Sequence, residues 1–224
     1  MRKVYVIGSS SVLAPSIAKL VVGDSLTAFI GRSNPYGLEN FIKSQGVTDE
    51  SSVAAISELL LNDLKNTSGI TSASLIVLSG VSSNDWKSSF LINEYMPAKL
   101  SEDFSKYVSL QKLHDNSVTL IGSSAAYHGA KLPYAATKAS LNGIVHSIAR
   151  DFKNNVRINL VVPSAFESNM IADWDNEKRA AVASSNYIGR LGTPDDMAAA
   201  ILFTVNNPFI TNSTLNMTGG TVHI

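Results

Sequence analysis

Val118-Thr119-Leu120-Ile121-Gly122-Ser123-Ser124 is a short β-branched and aliphatic run that closes on a glycine and two hydroxyl side chains. A run of this length and composition reads as a strand buried on both faces, as in a parallel sheet. Its carboxyl end delivers Ser123 and Ser124 to the edge where open parallel sheets bind ligands. Further on, Pro133-Tyr134-Ala135-Ala136-Thr137-Lys138-Ala139-Ser140-Leu141 has a helical pattern, with a phenol and an ammonium four positions apart and therefore on one face. At ~5 Å and an effective dielectric of ~20, a fixed lysine charge favours the phenolate by roughly 3 kcal/mol, about two pH units below a reference near 10. A tyrosine tuned in this way would move protons near neutral pH.

Outward from this stretch, short β-rich runs alternate with longer helical patterns, which predicts βα units around a parallel sheet. Strands are expected at Val4 to Ile7, Leu26 to Ile30, a short one near Val47, Ser74 to Leu78, Val118 to Ile121, Ile158 to Val162 and Thr214 to Asn216, with helices filling the intervals. The expected architecture is a Rossmann-like, doubly wound parallel sheet of about seven strands with helices on both faces, in one domain spanning 1–224. The helix holding Asn93 also carries Pro97, which lacks a backbone donor and should kink it. Residues 164–186 have no strand pattern and mix Phe166, Met170, Ile171 and Trp174 with acidic residues, as a mobile substrate lid would.

Composition narrows the classes. Eighteen basic residues balance eighteen acidic ones, so no overall field recruits nucleic acid or an anionic membrane. The absence of cysteine excludes a disulfide framework and thiolate metal sites, and His114, His128, His146 and His223 show no ligand spacing, so no metal is expected. No apolar run approaches the ~18 residues of a membrane span, and no signal-peptide pattern precedes the strand entered at Lys3, which makes a cytoplasmic protein the expectation.

Ordered segments over nearly the whole chain resemble the short-chain dehydrogenase/reductase family. Val4 to Ile7 enters Gly8-Ser9-Ser10-Ser11-Val12-Leu13-Ala14, similar to that family's phosphate loop. Thr48-Asp49-Glu50-Ser51-Ser52-Val53 resembles the start of its third helix, and Asn93 with Pro97 resembles the motif in its fourth. Ser123, Tyr134 and Lys138 follow, then Val156-Arg157-Ile158-Asn159, Pro163 and Ser168-Asn169-Met170. Gly189-Arg190-Leu191-Gly192-Thr193-Pro194 and Asn216-Met217-Thr218-Gly219-Gly220 are similar to its C-terminal signatures.

The resemblance implies hydride transfer between a nicotinamide cofactor and a small carbonyl or alcohol substrate. It implies Tyr134 as general acid/base, Ser123 as the residue orienting the substrate oxygen (Ser124 being the neighbouring alternative), Lys138 as phenol tuner and ribose ligand, and Asn93 as support for a water path to Lys138. Cofactor contacts are expected from Gly8, Ser10, Ser11, Leu13, Arg32, Ser33, Ser79, Gly80, Tyr134, Lys138, Pro163, Ser164, Phe166 and Ser168. The chain departs from the family pattern at Val12 and Ala14 in place of glycines, at Val77-Leu78-Ser79-Gly80, at Gly46 in place of an acidic residue, and at Ser164 after Pro163. A carboxylate at the tip of the second strand would favour NAD, whereas Gly31 has none and Arg32 could pair with a 2′-phosphate, so NADP(H) is expected over NAD(H). The altered cleft leaves a non-catalytic nucleotide-sensing or scaffold protein as the alternative, and a lyase or epimerase using Tyr134 as a third class.

Members of this family commonly pair through their fourth and fifth helices. The segments from Trp86 to Leu113 and Tyr134 to Phe152 carry Phe90, Leu91, Leu141, Ile144 and Ile148, more apolar side chains than one buried stripe needs. A homodimer or homotetramer of closed symmetry is therefore expected.

Overall fold

The structure, a computed structural model, describes residues 1–21 and 25–221; His223 lies outside the described residues. The chain runs β1 (Arg2–Ile7), α1 (Leu13–Leu20), β2 (Ser25–Gly31), β3 (Phe41–Lys43), α2 (Glu50–Asn66), β4 (Ser72–Val77) and α3 (Trp86–Phe90), the last continued by a π-helical turn at Leu91–Tyr95 into α4 (Met96–Leu110). Then come β5 (Asn116–Ile121), α5 (Ala125–His128), α6 (Leu132–Ala139), α7 (Leu141–Asp151) and β6 (Val156–Pro163), a 3₁₀ turn at Asn169–Ile171, α8 (Asn176–Ser184), α9 (Pro194–Asn206) and β7 (Ser213–Met217). The seven strands form one sheet in the order β3-β2-β1-β4-β5-β6-β7, every pairing parallel. The expected doubly wound sheet is thus present, with its reversal of strand order between β1 and β4.

Strict alternation along each strand divides the core in two. In β1, Tyr5 and Ile7 face a layer built from α2, α4 and α7, while Val4 and Val6 face α1 and α9. Phe104 of α4 is fully buried against the first face; truncating such a ring to alanine costs about 3–5 kcal/mol. At the amino edge of the sheet, Asp115 accepts from both Arg2 and Arg157. Arg157 also donates to the carbonyls of Thr204 and Val205 at 2.8 Å each, which fastens the last turn of α9 beneath the strands.

Three expectations are corrected. The third strand is not near Val47 but at Phe41–Lys43, where Phe41 and Ile42 register against Phe29 and Ile30; Val47 packs on the core beside it. No helix fills the interval between β2 and β3. Asn34 closes that loop by donating to and accepting from the backbone of Leu38 at 2.9 and 2.8 Å, so the helix begun by Asp49 is the chain's second. Asp49 starts it with a reciprocal capping box to Ser52. Finally, Leu91, Leu141 and Ile148 are buried in the chain's own core and Ile144 is half-buried, so of the five apolar residues taken as surplus only Phe90 is exposed.

The kink expected at Pro97 takes a definite form. Met96 N–H bonds the carbonyl of Leu91, five residues back, and this π turn absorbs the donor that proline lacks. Asn93 sits inside it, completely buried.

Candidate active site

A cleft of about 760 Å³ opens along the carboxyl ends of the strands, where β1 and β4 diverge in topology. Its walls run from Arg32 and Gly46, past Gly8, Ser10, Ser11, Val12 and Leu13, to Ser79 and Gly80 and on to Tyr134 and Lys138. Pro163, Phe166, Ser168, Asn169 and Met170 close the far side. Ser33 and Ser164 lie outside this wall. The Ser33 carbonyl accepts from Ser9 Oγ at 2.7 Å, and Ser164 lines a smaller cavity of about 280 Å³ beside Asn216 and Gly219.

The turn after β1 is set by Gly8. Its φ is +107°, and a Cβ there would stand 3.0 Å from Ser79 Oγ and 3.1 Å from its amide nitrogen, so only glycine allows the ends of β1 and β4 to meet. Ser9, inside the segment similar to a phosphate loop, is completely buried, and its hydroxyl is spent on the Ser33 carbonyl. Ser11 Oγ accepts from Leu13 N–H at 3.3 Å and starts α1. The amides of Ser10 and Val12 have no protein acceptor among the described residues, although both residues line the cleft. Ala14 is fully buried in the α1–α9 layer, where a methyl group fits.

At the tip of β2 a side chain is excluded sterically: a Cβ on Gly31 would collide with Ser9 Oγ. Arg32 is exposed, has no carboxylate partner among the described residues, and lays its stem within reach of Gly46, whose Cβ would stand 3.3 Å from Arg32 Cδ. An acidic side chain at position 46 would meet that arginine, and this chain has none.

At the other end, Asn93 turns its amide back on the loop after β4. Val81 N–H donates to Asn93 Oδ1 at 2.8 Å, and Asn93 Nδ2 donates to the Val81 carbonyl at 2.8 Å and to Thr137 Oγ1 at 3.2 Å. Its side chain thus ties the loop to α6. Lys138 is buried, with Nζ donating to the Ile121 carbonyl at 2.7 Å. Burial without a carboxylate partner pulls its pKa down to about 8.

Tyr134 is half-buried, one turn before Lys138 on α6. Its phenol is shifted opposite to the Coulomb expectation: burial raises the pKa, and interaction with the Ser123 hydroxyl lowers it only in part. Spacing alone credited Lys138 with a lowering, but desolvation of the ring dominates. Ser123 is therefore the serine that meets the phenol, while Ser124 turns its hydroxyl to His128 Nε2 at 3.0 Å.

Several wall residues had no sequence signal: Gln45, Ser82, Ile92, Met96 and Lys131. Lys131 is the most informative. It precedes α6, and its Nζ donates to the Ser82 carbonyl at 3.2 Å. Among the described residues the cleft wall therefore holds three cations, Arg32, Lys131 and Lys138, and no carboxylate.

Fold and cleft together define an α/β nucleotide-binding architecture. A family profile described as enoyl-(acyl carrier protein) reductase matches residues 39–222, and the chain belongs to the short-chain dehydrogenase/reductase family of NAD(P)-dependent oxidoreductases. It is 34% identical over 110 residues to carbonyl reductase family member 4 of Danio rerio, a match taking in 48% of this chain and 45% of that protein. It is 28% identical to the 3-oxoacyl-[acyl-carrier-protein] reductase FabG of Escherichia coli (strain K12), over 78% of this chain and 74% of that one. Among solved structures, ligand-free Thermoplasma acidophilum aldohexose dehydrogenase superposes with a TM-score of 0.84 at 21% identity, covering 98% of this chain and 93% of that one. ElxO with NADP bound superposes at 0.83 with 18% identity and 98% of each chain covered. At these identities the structural likeness speaks for the fold.

The residues present suit a dinucleotide. Two unpaired amides at the amino end of α1 offer donors where a helix dipole favours phosphate. A wall whose described residues include three cations and no carboxylate favours a polyanion.

Proposed function

We propose that the chain is an NADPH-dependent reductase of small carbonyl compounds, acting also in the alcohol-oxidising direction. The observation that carries this reading is the placement of the raised Tyr134 phenol and the buried Lys138 ammonium on one cleft wall, with the Ser123 hydroxyl meeting the phenol. When bound, the cofactor supplies or takes the hydride. The protein's own share is placement and proton movement. A phenol whose pKa is raised by burial stays protonated at neutral pH, so Tyr134 Oη is poised to donate its proton to the oxygen of a carbonyl undergoing reduction. Ser123 Oγ orients that oxygen beside it. Lys138 Nζ, with one of its three donors on the Ile121 carbonyl, has two left to hold the nicotinamide ribose.

Asn93 contributes by holding the loop at Val81 in register with α6. The unpaired amides of Ser10 and Val12 would take the pyrophosphate, and exposed Arg32 the 2′-phosphate that distinguishes NADPH. The proposal includes a homodimer or homotetramer, for which Trp86 and Phe90, 54% and 42% exposed, supply apolar surface; a monomer in light scattering at micromolar concentration would remove that part.

The test is oxidation of NADPH with a panel of carbonyl compounds, followed by Tyr134→Phe on the best substrate. Loss of the transferable proton should lower turnover by about 100-fold or more with folding unchanged. Near-native turnover in that variant would remove Tyr134 from the chemistry. NADPH binding with no turnover across the panel would instead favour a nucleotide-sensing protein on this fold.

A further inference from the structure

The segment between β6 and α9 is held in an unusual way. No side chain of helix α8 is fully buried, and its apolar contact is confined to half-buried Val182 and Ala183. Ile171 is the buried apolar residue of the turn before it. Backbone bonds from Glu167 N–H to the Gly192 carbonyl at 3.0 Å and from Trp174 N–H to the Ile171 carbonyl at 3.1 Å anchor the segment, and the side chain that gathers it is Arg179. Its Nη1 donates to Glu167 Oε2 at 2.6 Å, its Nη2 to the Ile171 carbonyl at 2.8 Å and its Nε to the Trp174 carbonyl at 3.2 Å. The neighbouring Lys178 lies over the Trp174 ring, 4.4 Å from its centroid, and Asp175 caps the start of α8 by accepting from Lys178 N–H at 2.7 Å. The three acceptors of Arg179 bracket Ser168, Asn169 and Met170, the residues that form the far wall of the cleft.

We propose that Arg179 is a positioning residue: it braces the Glu167–Trp174 loop from behind and so sets where Ser168, Asn169 and Met170 stand against the substrate. The inference rests on the reading of the cleft as a site for NADPH and a carbonyl compound. The planar guanidinium reaches three acceptors in different directions at once, a geometry that a single ammonium does not reproduce. Glu167 is half exposed and the arginine partly so, and an ion pair in that setting contributes little. The bracing therefore resides mainly in the two bonds to backbone carbonyls, which no other side chain supplies to Ile171 or Trp174 among the described residues.

The experiment compares Arg179→Ala, Arg179→Lys and Glu167→Gln with the native chain. Amide hydrogen exchange of residues 167–174 is measured without cofactor, and then NADPH affinity, KM and kcat. Because α8 has no fully buried side chain, the urea midpoint should be unchanged in all three. Exchange in the loop should quicken by about tenfold in both arginine variants. Substrate KM should rise by about fivefold or more while kcat stays within about twofold. Glu167→Gln should behave as native. Unchanged exchange in Arg179→Ala, full rescue by lysine, or a fall in global stability would each overturn the proposal. So would faster exchange accompanied by native KM and native NADPH affinity. If the native chain turns over no carbonyl compound, the activity reading fails, and the exchange and NADPH titrations still decide the role of Arg179.

Discussion

Lys138→Met should make the protein more stable at neutral pH and inactive at the same time. The native lysine is buried with the Ile121 carbonyl as its hydrogen-bond partner and no carboxylate among the described residues, and its pKa falls from an ordinary 10.5 to about 8. That drop of about 2.5 pH units, at about 1.4 kcal/mol per unit, corresponds to about 3–4 kcal/mol of burial penalty on the charged form. Methionine fills a similar volume flexibly and has no charge to desolvate, but it abandons the Ile121 carbonyl, a loss of about 1 kcal/mol. The net gain is about 2–3 kcal/mol.

Its pH dependence follows from the sign of the shift. Below pH 8 the lysine is charged in both folded and unfolded chains, and the native state bears the whole penalty. Between 8 and 10.5 the unfolded chain alone keeps the proton, so native stability rises with pH and the advantage of methionine shrinks. Above 10.5 the variant should be the weaker of the two by about 1 kcal/mol, because the neutral amine still donates to Ile121. Urea midpoints for both proteins from about pH 6 to 11, with equal m-values, measure this directly. A methionine variant that is less stable at pH 7, or a difference that does not change with pH, would refute the reasoning.

Two further outcomes concern the cofactor cleft. By calorimetry the native chain should prefer NADPH to NADH, and Arg32→Ala should shrink that gap by about 1–3 kcal/mol, near the lower figure because the side chain is exposed; equal affinities in the native chain would take Arg32 out of the site. Val12→Gly with Ala14→Gly should leave NADPH affinity unchanged or weaker in a fluorescence titration, since the Ser10 and Val12 amides are already unpaired and Ala14 is packed in the core. Its helix should lose about 0.5–1 kcal/mol at position 14, and markedly tighter binding would show that Val12 obstructs the pyrophosphate.

The central strands were legible because Val4 to Ile7 and Val118 to Ile121 are long enough to declare themselves through β-branched and aliphatic content. Phe41–Lys43 was not, since three residues at a sheet edge show no period and Asn34 closes the preceding loop by side-chain bonds that composition does not announce. Tyr134 and Lys138 were visible through their spacing. Spacing carries Coulomb's law but not desolvation, which is why the phenol's direction came out reversed. Lys131, Ser82 and Gln45 reach the cleft from loops, where no periodicity marks a residue as facing inward.

The π turn at Leu91–Tyr95 amounts to one extra residue threaded into an otherwise continuous helix. An α-helix advances about 100° per residue, so the insertion works as a phase shifter between two surfaces with different tasks. Upstream, Trp86 and Phe90 face outward; downstream, Met96, Leu100 and Phe104 face the sheet. Reversion of this segment to regular α-helix would turn one set relative to the other by that angle and carry Asn93 off Val81. The length of the helix is thereby locked to the geometry of the cleft, and with Val108 also buried in the core an insertion or deletion is tolerable only in the last turn, beyond Val108.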